Sequence, residues 1–539
     1  MELLRNGDQV LTIVQRFEWI MKSGRVAILI FYKSTFERGD DPRSDFLNRS
    51  ASCRDHVIAR ARKVTRGKTM PSRGNEARTI MRFCSKPELL MLAAGSDKRA
   101  QIWKEGGCMH TADWRGPRFV WGSGLLLGGA LMIPLQVWAA EASNVRLVGH
   151  SDLQGRETLQ VTVKGNYAYV GHHKGAEMNP LTGKVEPNGT SIIDISNPAQ
   201  PKIVAHIPGY KDAESRAVCV AENVNGKDYL LRNQESPEFT GFEVWEITDR
   251  TMPRRAAQIG PLLKAHKSWW DSGFAYLSGT APGWKGQHLI IYDMSNPERP
   301  KLIANWGLPG QAPDEQLTAG PLGLHHPVVF GNRAYLSYNT GGNMVVLDVT
   351  DKARPKIVSQ LDFSPPYSGI HTTAPFNGMK VPNFTPGFGA VRTFLVVAEE
   401  AMDAAYKCQE LRKQLYIIDA SDEAHPIPVA TFKVPDGDFC NRGGRFGPHQ
   451  FAETRDGQPI GGHLLYIAYF AGGLRVVDIS NPFKLEEVGF FIPNTTDKTK
   501  PRLKKVIQTN DVDLDARGLI YITDRAGTGM HILEYTGKK

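Results

Sequence analysis

Leu289-Ile-Ile-Tyr-Asp293-Met-Ser-Asn-Pro297-Glu-Arg-Pro300 joins an apolar run to an acidic residue, a polar turn and two prolines. Ser191-Ile-Ile-Asp194-Ile-Ser-Asn-Pro198-Ala-Gln-Pro201, Val345-Val-Leu-Asp348-Val-Thr-Asp351-Lys-Ala-Arg-Pro355 and Val476-Val-Asp478-Ile-Ser-Asn-Pro482 repeat the pattern. Looser copies centre on Glu246 and Asp419. Successive acidic positions lie 47 to 71 residues apart, a period that denotes an array of similar units.

Each unit divides into four short strands. His326-Pro-Val-Val-Phe-Gly-Asn-Arg-Ala-Tyr335 gives a strand, a Gly-Asn turn and the start of a second strand. Met344 to Asp348 supplies the third strand and Pro355-Lys-Ile-Val-Ser the fourth. β-Branched residues between Gly, Asn and Pro punctuation carry this reading. The acidic residue ends the third strand, where its carboxylate can accept from the N–H groups of the next turn. The motif residues are therefore assigned a structural role.

Four-stranded units in series fit an all-β, seven-bladed β-propeller, with blades centred on 194, 246, 293, 348, 419, 478 and 534. A solenoid of stacked repeats is the competing architecture. The last unit stops after three strands, whereas Asn144-Val-Arg-Leu-Val-Gly149 precedes the first and reads as an orphan fourth. Pairing the two would close the ring and remove an exposed sheet edge.

The motif resembles that of the LVIVD-repeat family of bacterial and archaeal proteins over about residues 144 to 537. Glu246 and Glu534 replace its aspartate, and the last copy lacks the proline turn. The resemblance implies a propeller-like fold in exported or surface proteins, and no settled activity.

Residues 1–108 share nothing with the repeats and hold 21 Lys and Arg against 12 Asp and Glu. Residues 141–539 carry 42 basic and 43 acidic residues, so the net charge of +9 belongs to the leader. It gives no support for nucleic-acid binding by the repeats. Arg115 and Arg118 precede an apolar run from Phe119 to Ile133, followed by Ala139, Ala140 and Ala142. That order predicts a signal peptide over 109–142, with an N-in membrane anchor as the alternative. Residues 1–108 then read as translated upstream sequence or a disordered extension, and 143–539 as the propeller. Periplasmic, secreted or envelope-associated protein is the expected product.

Export permits disulfides. Cys219 lies in an apolar strand, whereas Cys408 and Cys440 fall in loops of adjacent units, either as two thiols or as a bridge.

Chemistry is expected at the channel mouth, where the loops leading into each inner strand meet those between second and third strands. Gly323-Leu-His325, Gly369-Ile-His371 and Gly447-Pro-His449 share one pattern, and Lys264-Ala-His266 holds the same place one unit earlier. Glu157, Glu214 or Arg216, and Asn510 or Asp511 occupy the remaining positions. The other loops of that face carry His172-His173, Asn339, Glu399-Glu400 and Asp524-Arg525. The insertion from Glu399 to Gln414 reads as a tolerated loop or a lid, and Phe376 to Gly389 is placed on the opposite face.

Four imidazoles from neighbouring blades could hold one iron, copper or zinc ion, with carboxylates such as Glu157 or Glu214 behind them. Repeats also inherit residues from an ancestral blade, which would make the histidines structural. Two functions follow: a module binding a protein segment or small polar ligand in the His-rich mouth, or a metal-dependent oxidoreductase. Walker, GxGxxG, GxSxG and HExxH signatures are missing. A monomer is expected, because a closed ring has no edge to hide, and no stable membrane span if the signal is cleaved.

Overall fold

A computed structural model describes residues 141–538, apart from 318–319, 364–368, 382–390, 403–407 and 502. Residues 1–133 make a separate unit, of which only short strand pairs are described: Ile20–Lys22 with Arg25–Ala27, Ile30–Phe31 with Leu89–Leu90, and Arg99–Lys104 with Gly107–Asp113. Residues 114–140 of the expected signal and most of the insertion after Phe376 lie outside the described residues.

The second unit is a seven-bladed β-propeller. Each of blades 1 to 5 is a four-stranded antiparallel meander. Blade 4 shows the plan: Gly323–Phe330, Arg333–Thr340, Asn343–Asp348 and Lys356–Asp362, from the channel outward. Its second and third strands are buried along consecutive positions, whereas the fourth is largely exposed. Neighbouring blades cover both faces of a blade, so the motif strand is apolar at successive residues and does not alternate. Burying each Val, Leu or Ile contributes about 1.5–3 kcal/mol. The largest cluster runs continuously from Val328 of blade 4 through Val396 and Val476 to Val512 of blade 7.

The motif carboxylates do what their position requires. Asp194, Asp293 and Asp348 each accept from the N–H two residues on at 2.8 Å, and Asp419 and Asp478 repeat the contact. Five turns are thereby fixed by one local interaction.

Blade 7 consists of Thr509–Leu514, Ile520–Asp524 and Gly529–Tyr535, with Val145–Ser151 paired antiparallel to the last of these. Within that pairing Gly149 lies against the Pro198 turn of blade 1, where a Cβ would overlap the proline carbonyl. Glu141–Ser143 adds a further outer strand to blade 6, beside Glu486–Ile492. Glu141 and Ala142, the last two residues of the expected signal, belong to this strand.

Cys408 and Cys440 are joined by a disulfide across 32 residues. The bridge ties the insertion after Glu399 to the loop leading into blade 6.

Candidate functional site: a histidine arc at the channel mouth

Every inner strand carries one extra residue near its start. In blade 4, Leu324 pairs with Tyr338 and His326 with Ser337, leaving His325 unpaired. His371 is skipped in the same way between Ile370 and Thr372, and Asn510 between Thr509 and Asp511. In blade 3, His266 and Lys267 together face Ser278, since Ala265 pairs with Gly279 and Ser268 with Leu277. In blade 6, His449 donates to Ala468 and Ala468 donates to Gln450, so two residues oppose one. Leu159 of blade 1 and Arg216 of blade 2 occupy the matching places. Such bulges bend the strand and re-aim a side chain. Here they turn one residue per blade toward a shared cavity of about 250 Å³.

The glycine of the Gly-x-His pattern has a steric cause. A Cβ at Gly369 would lie 2.9 Å from the Asn339 carbonyl oxygen, and one at Gly447 would lie 2.6 Å from Ala401 Cβ. Ala401 N–H donates to the Pro448 carbonyl across two blades, and within blade 5 Glu400 N–H donates to that of Gly369. Each histidine is therefore seated against the end of the preceding blade.

The four histidines form a continuous arc. Ring centroids are 4.4 Å apart for His266 and His325, 3.9 Å for His325 and His371, and 4.0 Å for His371 and His449. Burial holds all four well below the usual imidazole range. Arg216 adds to the effect at His266 and Lys267 at His325, and neighbouring imidazoles do so at His371. All four are neutral at pH 7.

Hydrogen bonds choose the tautomer. His325 Nδ1 lies 3.0 Å from the His371 carbonyl, and His449 Nδ1 meets the Asn510 carbonyl. A carbonyl only accepts, so both Nδ1 atoms carry the proton and both Nε2 atoms keep a lone pair. His371 Nδ1 lies 2.8 Å from Thr372 Oγ1, whose hydroxyl donates to Gln450 Oε1 at 2.9 Å, which gives His371 the same tautomer. The Nε2 atoms of His371 and His266 are buried with no hydrogen-bond partner.

Glu400 completes the group. One donor atom from each of His325, His371 and Glu400 falls within 4.8 Å of the other two, and His449 Nε2 is 3.7 Å from Glu400 Oε1. Asn339 donates to Glu400 at 2.9 Å and Arg445 at 3.1 Å, which fixes the carboxylate. Three such donors beside an unpartnered Nε2 fit a borderline transition metal.

The other sequence candidates divide. Arg216 and Asn510 line the cavity. Glu157 and Glu214 instead hold His173 at 3.0 and 3.2 Å, away from the four rings. His172 is buried inside blade 1, with Nε2 2.8 Å from Ser191 Oγ, because it ends a strand whose side chains alternate. Asp511 accepts from Val161 N–H, one residue past the bulge. Leu159, and not Glu157, is the blade 1 member of the ring. Met402 of the insertion also lines the cavity, as do Lys267 and Arg445. The sequence offers no signal for Lys267, which shares its bulge with His266.

An LVIVD repeat profile matches residues 155–176, 185–207 and 460–491. No curated protein matches the chain significantly. A periplasmic gluconolactonase from Pseudomonas aeruginosa is among the similar solved structures, at 12% identity over 62% of this chain and 85% of that one, with a TM-score of 0.40. A putative 6-phosphogluconolactonase from Bacteroides fragilis gives 9%, 70%, 96% and 0.41. A hypothetical selenium-binding protein from Sulfolobus tokodaii gives 11%, 70%, 92% and 0.44. The chain thus carries LVIVD repeats, set on a seven-bladed β-propeller.

Proposed function

We propose that the protein is an exported binding module holding one transition-metal ion at its channel mouth. His325 Nε2, His371 Nε2 and the Glu400 carboxylate are the ligands, with His449 and His266 flanking them. The carrying observation is the set of Nδ1 hydrogen bonds, which leaves bare Nε2 lone pairs on adjacent buried rings. Purely structural histidines would be expected to use both ring nitrogens, whereas His371 Nε2 is buried and unpartnered.

Metal analysis of untagged protein tests the reading. Wild type should carry about one ion per chain, and His371→Ala and Glu400→Gln should lose most of it. Less than about 0.1 ion per chain in wild type, unchanged in His371→Ala, would retire the metal site.

A metal-dependent oxidoreductase is the second reading. It is favoured by the small number of converging donors, since three protein ligands leave a coordination position for a substrate in the adjoining cavity.

Three further readings belong to the proposal. Export by the segment 109–142 agrees with the Cys408–Cys440 bridge, because disulfides persist in oxidising compartments. Ring closure by Val145–Ser151 is supported by its ladder from Val145 opposite Tyr535 to Ser151 opposite Met530. Such a ring would need no second copy to cover an edge. No helix among the described residues is long and apolar enough to cross a membrane.

A further inference from the structure

Beside the histidines of blades 3 to 6 and neutral residues such as Leu159, Gln287 and Asn510, the charged part of the cavity wall is mainly cationic. Arg216 of blade 2, Lys267 of blade 3, Arg445 ahead of blade 6 and Arg525 after the second strand of blade 7 line it, against one carboxylate, Glu400. Partners offset part of this charge. Arg216 pairs with Glu214, and Arg445 with Glu400 at 3.1 Å. Lys267 donates to neutral Gln160 at 3.0 Å, with the charges of Asp511 and Glu453 nearby. Arg216 Nε is nonetheless buried without a hydrogen-bond partner. Burial, and then the neighbouring Arg525 charge, pull Arg216 down to about 10. The Arg216 and Arg525 guanidiniums both line this cavity, and an oxyanion between them would gain from each.

We propose that the cavity takes a small organic anion whose acidic group sits between Arg216 and Arg525, with its other end toward His325 and His371. A guanidinium fork suits carboxylate and phosphate alike, so the shared chemistry is a planar or tetrahedral oxyanion. The volume of about 250 Å³ falls below the usual range for drug-sized ligands and favours a short molecule. The ligand's orientation rests on the metal reading, but its anchors stand on other blades, so the two can fail separately.

Calorimetric titration of the metal-free full chain with malonate and with inorganic phosphate tests this. Wild type should show saturable binding of at least one anion, and the stronger of the two names the acidic group. Arg216→Gln and Arg525→Gln should each weaken it by at least about tenfold. Arg216→Lys keeps the charge without the fork and should fall between wild type and Arg216→Gln. No saturable heat with either anion up to about 50 mM overturns the proposal. So does unchanged affinity in both glutamine variants. Should Arg216→Gln fail to fold, Arg525→Gln and Arg216→Lys still decide. Anion binding without stoichiometric metal would sink the metal reading alone.

Discussion

The Asp511 carboxylate accepts a hydrogen bond from the backbone N–H of Val161 at 2.8 Å, across 350 residues of chain. Asp513 does the same for Val163 at 2.7 Å. Two acids on the inner strand of blade 7 therefore bind the inner strand of blade 1 edge to edge. Burial pushes Asp511 up to about 6 and Asp513 to about 8, so much of the benefit of these contacts is offset by desolvation.

Removing one of these acids should loosen the seam. Asp513→Ala leaves the Val163 N–H without its acceptor, and the expected loss is about 1–3 kcal/mol. Urea unfolding followed by tryptophan fluorescence reads it. A midpoint equal to wild type would mean that water or a neighbouring group replaces the carboxylate at no cost.

Blade 2 contains a fully buried ion pair. Arg232 Nη2 and Nε lie 2.9 and 3.1 Å from Glu243 Oε2, and Arg232 also donates to the Ile207 and Pro208 carbonyls of blade 1 at 2.8 Å. Glu243→Gln would leave the guanidinium charge uncompensated in the interior, a change that costs about 3–5 kcal/mol. Denaturant titration should show a loss of that order, and a loss below about 1 kcal/mol would contradict it.

The histidine arc gives metal-free stability a direction with pH. Its folded-state ionisations lie well below 6.5, so the unfolded chain takes up protons first as pH falls. The corresponding contribution is intact above about pH 6.5 and declines as pH drops below it. Melting temperatures between about pH 7 and 5 should fall more steeply for wild type than for a His325→Gln/His371→Gln double variant. Parallel curves would place the titration elsewhere.

The Cys408–Cys440 bridge closes a loop of about 30 residues, for which chain entropy predicts about 3–4 kcal/mol. Cys440→Ser should lower stability by up to this amount. Dithiothreitol should do the same to wild type and leave Cys440→Ser unmoved. A reductant effect of equal size in both proteins would contradict the assignment.

The fold was legible because one short carboxylate, from Asp194 to Asp478, marks the same turn in blade after blade. The four histidines were legible for a related reason, since a repeated Gly-x-His can be aligned by eye. Leu159 faces the channel where the sequence points to Glu157, because a bulge shifts the numbering and nothing in Glu157-Thr-Leu159 announces where the extra residue falls. Glu400 stood among the loop residues of the mouth but could not be distinguished from Glu399, which turns away to accept from Gln414 N–H at 2.8 Å. That choice depends on which of two adjacent side chains the strand end presents. Arg445 reaches the cavity from the loop ahead of blade 6, outside the aligned Gly-x-His pattern.

Because His325, His371 and Asn510 each hang from the unpaired residue of a bulge, exchanging their side chains breaks no rung of the ladder beside them. Leucine, arginine, histidine and asparagine already occupy equivalent seats around one rim. The scaffold behaves as a socket plate, and new selectivity could arise by single replacements that leave the surrounding frame untouched.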